Sequence, residues 1–380
     1  MAASALDFNF ALSFAPGPTK IYPQMGSYYA LGLEKGVFSL PHRSPEFCAI
    51  VAEAQSLLHQ KLAIPADYQV AFLSSANECW DTLNRTFGGA RFLHLFNGAF
   101  GEKWFRFRRH FNPNQTQGFD FELDTTLQTV EMLLDTPTSA QTEVFCLVEG
   151  ETSNGSLLNP AFLSDLRQKS PKALLCIDAT STMAGIELAW QNGDIWFASV
   201  QKCFGQPAGL AVLVLSPFAQ EKIKEAAQKT QEPTFYNSLP NVLRNIEKSQ
   251  TTHTPNMVAL FLLAQTLKNL PDIAQTAAFL EKRNQFLRAS LAQRGYQTAL
   301  FQPPKNAEGQ YFALPAPTVL ACPYPSEKLG DLKEKALAQG LRLGGGYGKW
   351  KDTSFRIANF PQHTDQDYEK LLAFLESYRG

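Results

Sequence analysis

The sequence predicts an α/β protein: a largely parallel sheet covered by helices, followed by a smaller α+β unit. Two observations predict it. Through the first 215 residues, short apolar runs alternate with amphipathic helical stretches, the signature of a parallel sheet buried on both faces. After Leu215 the pattern changes to long helices with a few short strands.

In order, strands are expected over 70–73, 91–96, 143–148, 173–177, 195–199 and 210–215. Helices are expected between them over 45–60, 78–86, 103–111, 126–134 and 160–168. Further on, helices cover 255–270 and 272–293, short strands lie around 311–322 and 354–358, and a helix closes the chain over 365–377. The division is a large domain over 15–265 and a smaller C-terminal domain over 266–380 together with 1–14. No internal repeat or low-complexity segment interrupts it.

At 380 residues with a formal net charge of −1, the chain carries no overall basic field, so nucleic acid is not an expected partner. The cluster Arg106, Arg108, Arg109 and His110 reads as a solvated helix face. No run of uncharged apolar residues approaches the length of a membrane span. Residues 1–14 lack a basic start and carry Asp7, a poor signal peptide. Cys48, Cys79, Cys146, Cys176, Cys203 and Cys322 are scattered without a CxxC pair, so neither a disulfide framework nor a metal site is indicated. Cytoplasmic thiols fit this pattern.

The chemistry concentrates at two strand ends. Ala173-Leu-Leu-Cys-Ile-Asp-Ala-Thr-Ser181 closes a buried-type strand with Asp178, and Trp196-Phe-Ala-Ser-Val-Gln-Lys-Cys-Phe-Gly205 closes another with Lys202. Ligands of such sheets bind at the carboxyl ends of the strands, so acid and amine can meet in one crevice. That pair suits pyridoxal phosphate: the amine holds the cofactor as a Schiff base, and the carboxylate keeps the pyridine nitrogen protonated. Burial would help keep the amine nucleophilic. Taken singly, a strand-end aspartate is more often a turn or helix cap, and most lysines lie on the surface.

A phosphate seat is offered by Val70-Ala-Phe-Leu-Ser-Ser-Ala-Asn77, where small residues precede a helix N-terminus. An ordinary turn capped by Ser75 or Asn77 explains the same residues equally well. Phe100, in Asn97-Gly-Ala-Phe-Gly101, is either a ring that stacks on the pyridine or a core residue.

At these residues the chain resembles the phosphoserine aminotransferases of the class V aminotransferases, and it does so along nearly its whole length. Phe14-Ala-Pro-Gly-Pro18, Pro41-His-Arg-Ser-Pro-Glu-Phe47, Glu151-Thr-Ser-Asn-Gly155, Asp178-Ala-Thr-Ser181 and Ser199-Val-Gln-Lys-Cys-Phe-Gly-Gln-Pro-Ala-Gly-Leu210 carry the resemblance. It implies a fold type I enzyme with a mainly parallel seven-stranded sheet. It implies that Lys202 is the catalytic lysine, that Asp178 pairs with the ring nitrogen, that Thr152 contacts the ring hydroxyl and that Phe100 stacks on the ring. Asn77, Glu78, Thr180 and Gln201 fall at phosphate-side positions. His253-Thr254-Pro255 matches a segment that reaches the cofactor phosphate of the other subunit, implying a homodimer with composite sites. Arg356 matches the arginine that clamps the substrate α-carboxylate, while His42 and Arg43 match a pair that binds the distal phosphate or carboxylate.

The sequence departs from that family on the substrate side. Glu78 stands where the family has an arginine. Gly345-Gly-Tyr-Gly-Lys-Trp-Lys351 replaces a second His-Arg pair, with Lys349 or Lys351 as the available charges. The resemblance therefore implies conversion of O-phospho-L-serine and 2-oxoglutarate to 3-phosphohydroxypyruvate and L-glutamate, a step of serine biosynthesis. The alternative is another class V aminotransferase acting on an unphosphorylated donor such as alanine or serine, with glyoxylate or a different 2-oxo acid. A cysteine desulfurase is disfavoured because Cys322, the one late cysteine, sits in an apolar strand. A non-catalytic binding protein is disfavoured by the retained Lys202, Asp178 and Arg356.

Overall fold

A computed structural model describes residues 12–229 and 235–378; most of the segment 1–14 therefore lies outside the described residues. Seven strands form the central sheet: β1 (Gln69–Leu73), β2 (Phe92–Phe96), β3 (Thr116–Asp120), β4 (Val144–Val148), β5 (Leu174–Asp178), β6 (Ile195–Ser199) and β7 (Ala211–Leu215), in the order β1-β7-β6-β5-β4-β2-β3. The pairs from β6 through β5, β4 and β2 to β3 are all parallel. β7 runs antiparallel to both neighbours. The cause is local: residues 200–210 link β6 to β7 without a helix, too short a connection for a crossover.

Successive side chains of these strands point to opposite faces, and both faces are covered. One face carries Val70, Phe72, Leu93, Phe145, Leu175, Trp196 and Val212, packed with the helices Pro45–Leu62 and Met257–Asn269. The other carries Ala71, Leu73, Phe92, Cys146, Cys176, Phe197 and Leu213, packed with Ala76–Thr86 and Ala99–Phe111. Burial on both sides is why these strands read as continuous apolar runs, each large side chain stabilising the fold by about 1.5–3 kcal/mol. β3 is the exception. Its Thr-Gln-Gly-Phe-Asp sequence is half polar because it lies at the sheet edge, and the sequence reading missed it. There the helix Ala99–Phe111 comes so close that a Cβ on Gly118 would lie 2.7 Å from the Phe105 ring.

A separate core joins Phe14, Leu287, Leu320, Phe355, Ile357, Tyr368 and Leu371. It surrounds a small antiparallel sheet of Val319–Pro323, Ser354–Ala358 and Gly344–Gly345. Leu12–Ser13 pairs with Leu341–Arg342 on the same side of the molecule. The last helix, Asp365–Ser377, begins with a capping box between Thr364 and Asp367.

One charged residue is not where its type suggests. Arg108 is fully buried rather than on a solvated face. Its guanidinium lies 3.8 Å from the centre of the Phe92 ring and donates to the carbonyls of Gly88 and Ala90. Helical spacing turns Arg108 inward while Arg106 and Arg109 stay exposed. Among the described residues no helix is long and apolar enough to cross a membrane.

Candidate active site

Asp178 is the last residue of β5, and Lys202 follows the end of adjacent β6. The turn that carries Lys202 is pinned: its carbonyl accepts from Gly205 N–H at 2.9 Å and from the Gln362 amide at 3.0 Å. Only 6% of Lys202 is exposed. Its Nζ donates to Thr152 Oγ1 and, at 3.0 Å, to Ser181 Oγ. Burial pushes the amine down from its ordinary range to about 8, against the opposing pull of Asp178 and Glu151. Gly17 closes over the stem; a Cβ there would lie 3.1 Å from Lys202 Cε.

Asp178 is buried, which raises its carboxyl pKa, and hydrogen bonds oppose the rise. Oδ1 accepts from Thr180 N–H at 3.0 Å, and Oδ2 accepts from the Trp80 indole N–H at 3.1 Å. Beside β6, the helix Ala76–Thr86 presents its N-terminus, with Ser75 as N-cap and Ala76 N–H donating to Ser199 Oγ at 2.7 Å. Such an end, with small side chains, is an anion seat.

Phe100 lies at the start of the helix Ala99–Phe111, its ring centre 5.1 Å from Lys202 Nζ. The buried Glu151 carboxylate fixes that start by accepting from Phe100 N–H at 3.1 Å and Gly101 N–H at 3.2 Å. Gly98 leaves room for it, since a Cβ there would stand 2.4 Å from Glu151 Cγ. Arg356, from the small sheet, donates through Nε to Gly345 O at 2.7 Å and through Nη1 to Thr152 O at 2.9 Å. Burial lowers its pKa to about 10, so it remains a cation at neutral pH.

A cavity of about 160 Å³ lies beside these groups; Arg356, Glu151 and Ser181 stand behind its lining, Arg356 through its bond to the Thr152 carbonyl. Of the residues singled out from the sequence, Asn77, Phe100, Thr152, Asp178, Thr180, Gln201 and Lys202 line it. The other anticipated residues do not. The Glu78 carboxylate accepts from Ser74 N–H and the Asn237 amide, turned toward Asn237. His42, Arg43, His253 and Thr254 form a separate group. His42 Nδ1 shares a hydrogen bond with Thr254 Oγ1 at 3.1 Å, Arg43 donates to Gln250 at 2.5 Å, and His253 Nδ1 meets Thr252 Oγ1 at 3.0 Å. Lys349 is paired with Glu122 at 2.9 Å. Sequence reasoning gave no role to Trp80 or Glu151, and it named Ser181 and Tyr347 only within longer segments. Trp80 was within reach, because it stands one helical turn after Asn77 and so shares its face.

The donor set fits pyridoxal phosphate. An amine and a carboxylate border one cavity, an aromatic ring lies beside it, and a helix N-terminus with hydroxyls stands at one end. The profile of the family described as aminotransferase class-V matches residues 120–315, just over half the chain. The chain belongs to the class-V aminotransferases. Pyridoxal 5′-phosphate is the cofactor this family uses. The phosphoserine aminotransferase of Rhodococcus jostii (strain RHA1) is 27% identical over 259 residues, covering 67% of this chain and 65% of the relative. That of Corynebacterium glutamicum (strain R) is 28% identical over 263 residues, again 67% of this chain and 65% of the relative. The match thus spans less than two thirds of these relatives' length. Among solved structures, a phosphoserine aminotransferase from Cytophaga hutchinsonii superposes with a TM-score of 0.84 at 27% identity, over 98% of this class-V chain and 100% of the other.

Proposed function

We propose that this class-V protein is a pyridoxal-phosphate-dependent aminotransferase. Its preferred reaction is O-phospho-L-serine plus 2-oxoglutarate to 3-phosphohydroxypyruvate plus L-glutamate, in serine biosynthesis. The observation that carries transamination is the buried pair Lys202 and Asp178 bordering one cavity, with the Arg356 guanidinium tied to its wall. The phosphorylated donor is supported by the relatives that bear the name, and by the Arg43 cation beside His42.

When bound, the cofactor supplies an electron sink for the pair released as the substrate Cα–H bond breaks. The chain's own groups do the rest. Lys202, with a pKa near 8, is matched to taking and returning a proton at the substrate Cα near neutral pH. Thr152 and Ser181 hold its Nζ between transfers. Asp178 would face the ring nitrogen, and Phe100 would cover the ring and exclude water. Arg356 offers a planar fork to the substrate α-carboxylate. Asn77, Thr180 and Gln201 would hold the phosphate end.

His42, Arg43, His253 and Thr254 stand together but outside the cavity of their own chain. This supports a homodimer in which each subunit lends that group to the other's site, bringing Arg43 and His42 to the distal end of the substrate. The separate core of Phe14 with residues from Leu287 to Leu375 supports a smaller domain within 266–380 with 1–14 beside the large one over 15–265, although the large core also takes in Ile273, Phe312, Val319 and Phe360. Six free cysteines fit the cytoplasm.

A second reading, an unphosphorylated donor, is favoured by the neutralisation of Lys349 by Glu122 and by the aromatic Tyr347 beside Phe100. A panel of amino donors, each followed by the cofactor's spectral change in a single half-reaction, separates the two. Preference for O-phospho-L-serine over alanine and serine by orders of magnitude supports the first. Equal or better turnover of alanine or serine removes it, and no spectral change with any donor removes transamination.

A further inference from the structure

We propose that Trp80 is a positioning residue for Asp178: its indole N–H aims the carboxylate at the cofactor's ring nitrogen and thereby sets the protonation of that nitrogen. The inference rests on the reading that Asp178 pairs with the ring nitrogen.

Trp80 lies on the helix Ala76–Thr86 and is 4% exposed. Its ring cannot swing away from Asp178. It stacks on Trp104, with centroids 5.7 Å apart and planes 7° from parallel. Trp104 in turn stands edge-on to Phe197 of β6 at 5.4 Å and to His94 of β2 at 5.4 Å. Four rings from two helices and two strands therefore fix the direction of one N–H bond. That bond meets Asp178 Oδ2 at 3.1 Å, while Oδ1 is taken by Thr180 N–H. Held at both oxygens, the carboxylate has one orientation. Indole is a donor and never an acceptor, so it favours the carboxylate over the neutral acid in a place where burial alone favours the acid. The same helix begins at the phosphate seat, where Ala76 N–H meets Ser199 Oγ. One rigid element thus sets both the phosphate end and the ring-nitrogen end of the cofactor.

The test loads wild type, Trp80→Phe and Asp178→Asn with pyridoxal phosphate labelled with ¹⁵N in the ring, and records its nitrogen resonance across pH. Near-ultraviolet circular dichroism checks the fold. Phenylalanine keeps an aromatic ring in the stack and deletes the donor. We expect the midpoint for loss of the ring proton to fall by about one pH unit in Trp80→Phe, and cofactor dissociation to rise about tenfold, as for a lost hydrogen bond to a charged group. An unchanged midpoint in a folded, loaded Trp80→Phe protein overturns the proposal. An unchanged midpoint in Asp178→Asn instead overturns the reading beneath it. Should Trp80→Phe not fold, the indole N–H resonances of the unsubstituted protein decide. One must lie downfield and shift on Asp178→Asn; if none shifts, the proposal fails.

Discussion

Phe100 and Tyr347 lie face to face, ring centroids 5.1 Å apart and planes 8° from parallel. Phe100 belongs to the helix beside the lysine, Tyr347 to the segment that precedes the Arg356 strand, and the Arg356 guanidinium stands 5.6 Å from the Tyr347 ring. On the proposed assignment, the stack joins the cofactor side of the site to the substrate side. Tyr347→Ala should lower kcat/KM for the preferred donor about five- to tenfold, the worth of one aromatic pair. Because Tyr347 is partly exposed, the melting temperature should stay within a few degrees. Steady-state kinetics with thermal unfolding check both.

Lys202 gives a second expectation. Only the unprotonated amine attacks an aldehyde, and its pKa is lowered to about 8. The rate at which apoprotein captures pyridoxal phosphate should rise with pH and level off with a midpoint near 8, not at the ordinary lysine value of about 10.4. Stopped-flow absorbance measures it. Lys202→Ala should abolish the borohydride-sensitive visible band and reduce transamination by several orders of magnitude.

Arg356→Lys keeps the charge and loses the fork. Its Nε and Nη1 bonds to Gly345 and Thr152 cannot both be rebuilt by an ammonium group. KM for the amino donor and for the 2-oxo acid should rise by roughly 10- to 100-fold, with kcat changed less, as for a charged hydrogen bond worth about 1.5–3 kcal/mol. A rise confined to one of the two substrates would contradict a common α-carboxylate role.

Glu149 is buried and accepts from Thr182 Oγ1–H at 2.5 Å. Burial raises its pKa from 4.5 to about 7. Between those values the folded protein holds a proton that the unfolded chain has released, so this group's contribution to stability falls as pH rises through the window. Glu149→Gln removes the titration. Relative to the parent, the variant should gain about 3 kcal/mol between pH 4.5 and pH 7 and nothing further above it. Denaturant unfolding at pH 4.5, 6 and 8 reads the difference.

A composite dimer makes a quantitative forecast. Lys202→Ala and Arg43→Ala proteins should each be nearly inactive. In a heterodimer one of the two sites has both native residues, so random mixing should restore about a quarter of the parent activity. No recovery from co-expressed, demonstrably mixed dimers would show that Arg43 serves its own subunit.

The lysine–aspartate pair was legible in the sequence because parallel strands expose their carboxyl ends on one edge, and both residues closed apolar runs. Other features escaped for physical reasons. The antiparallel course of β7 depends on the helix-free link 200–210, which strand patterning alone does not weigh. β3 is half polar because it borders the sheet. Arg108 was read by its charge, although its place on the helix turns it under Phe92. Trp80 drew no notice in the sequence, because the direction of its N–H bond is fixed by Trp104, His94 and Phe197, residues that only the fold brings together. The group of His42, Arg43, His253 and Thr254 was legible only through resemblance, since no spacing in a single chain points to a neighbour.

The helix-free return from β6 to β7 has a consequence for local opening. Lys202 sits in a turn whose two ends are sewn into the fully buried middle of the sheet. Its amide neighbours should exchange with deuterium only when the whole domain opens. The segment 345–351, on the rim of the smaller sheet, is free of that restraint. Substrate preference can therefore drift by change at the rim while the reactive amine keeps its place.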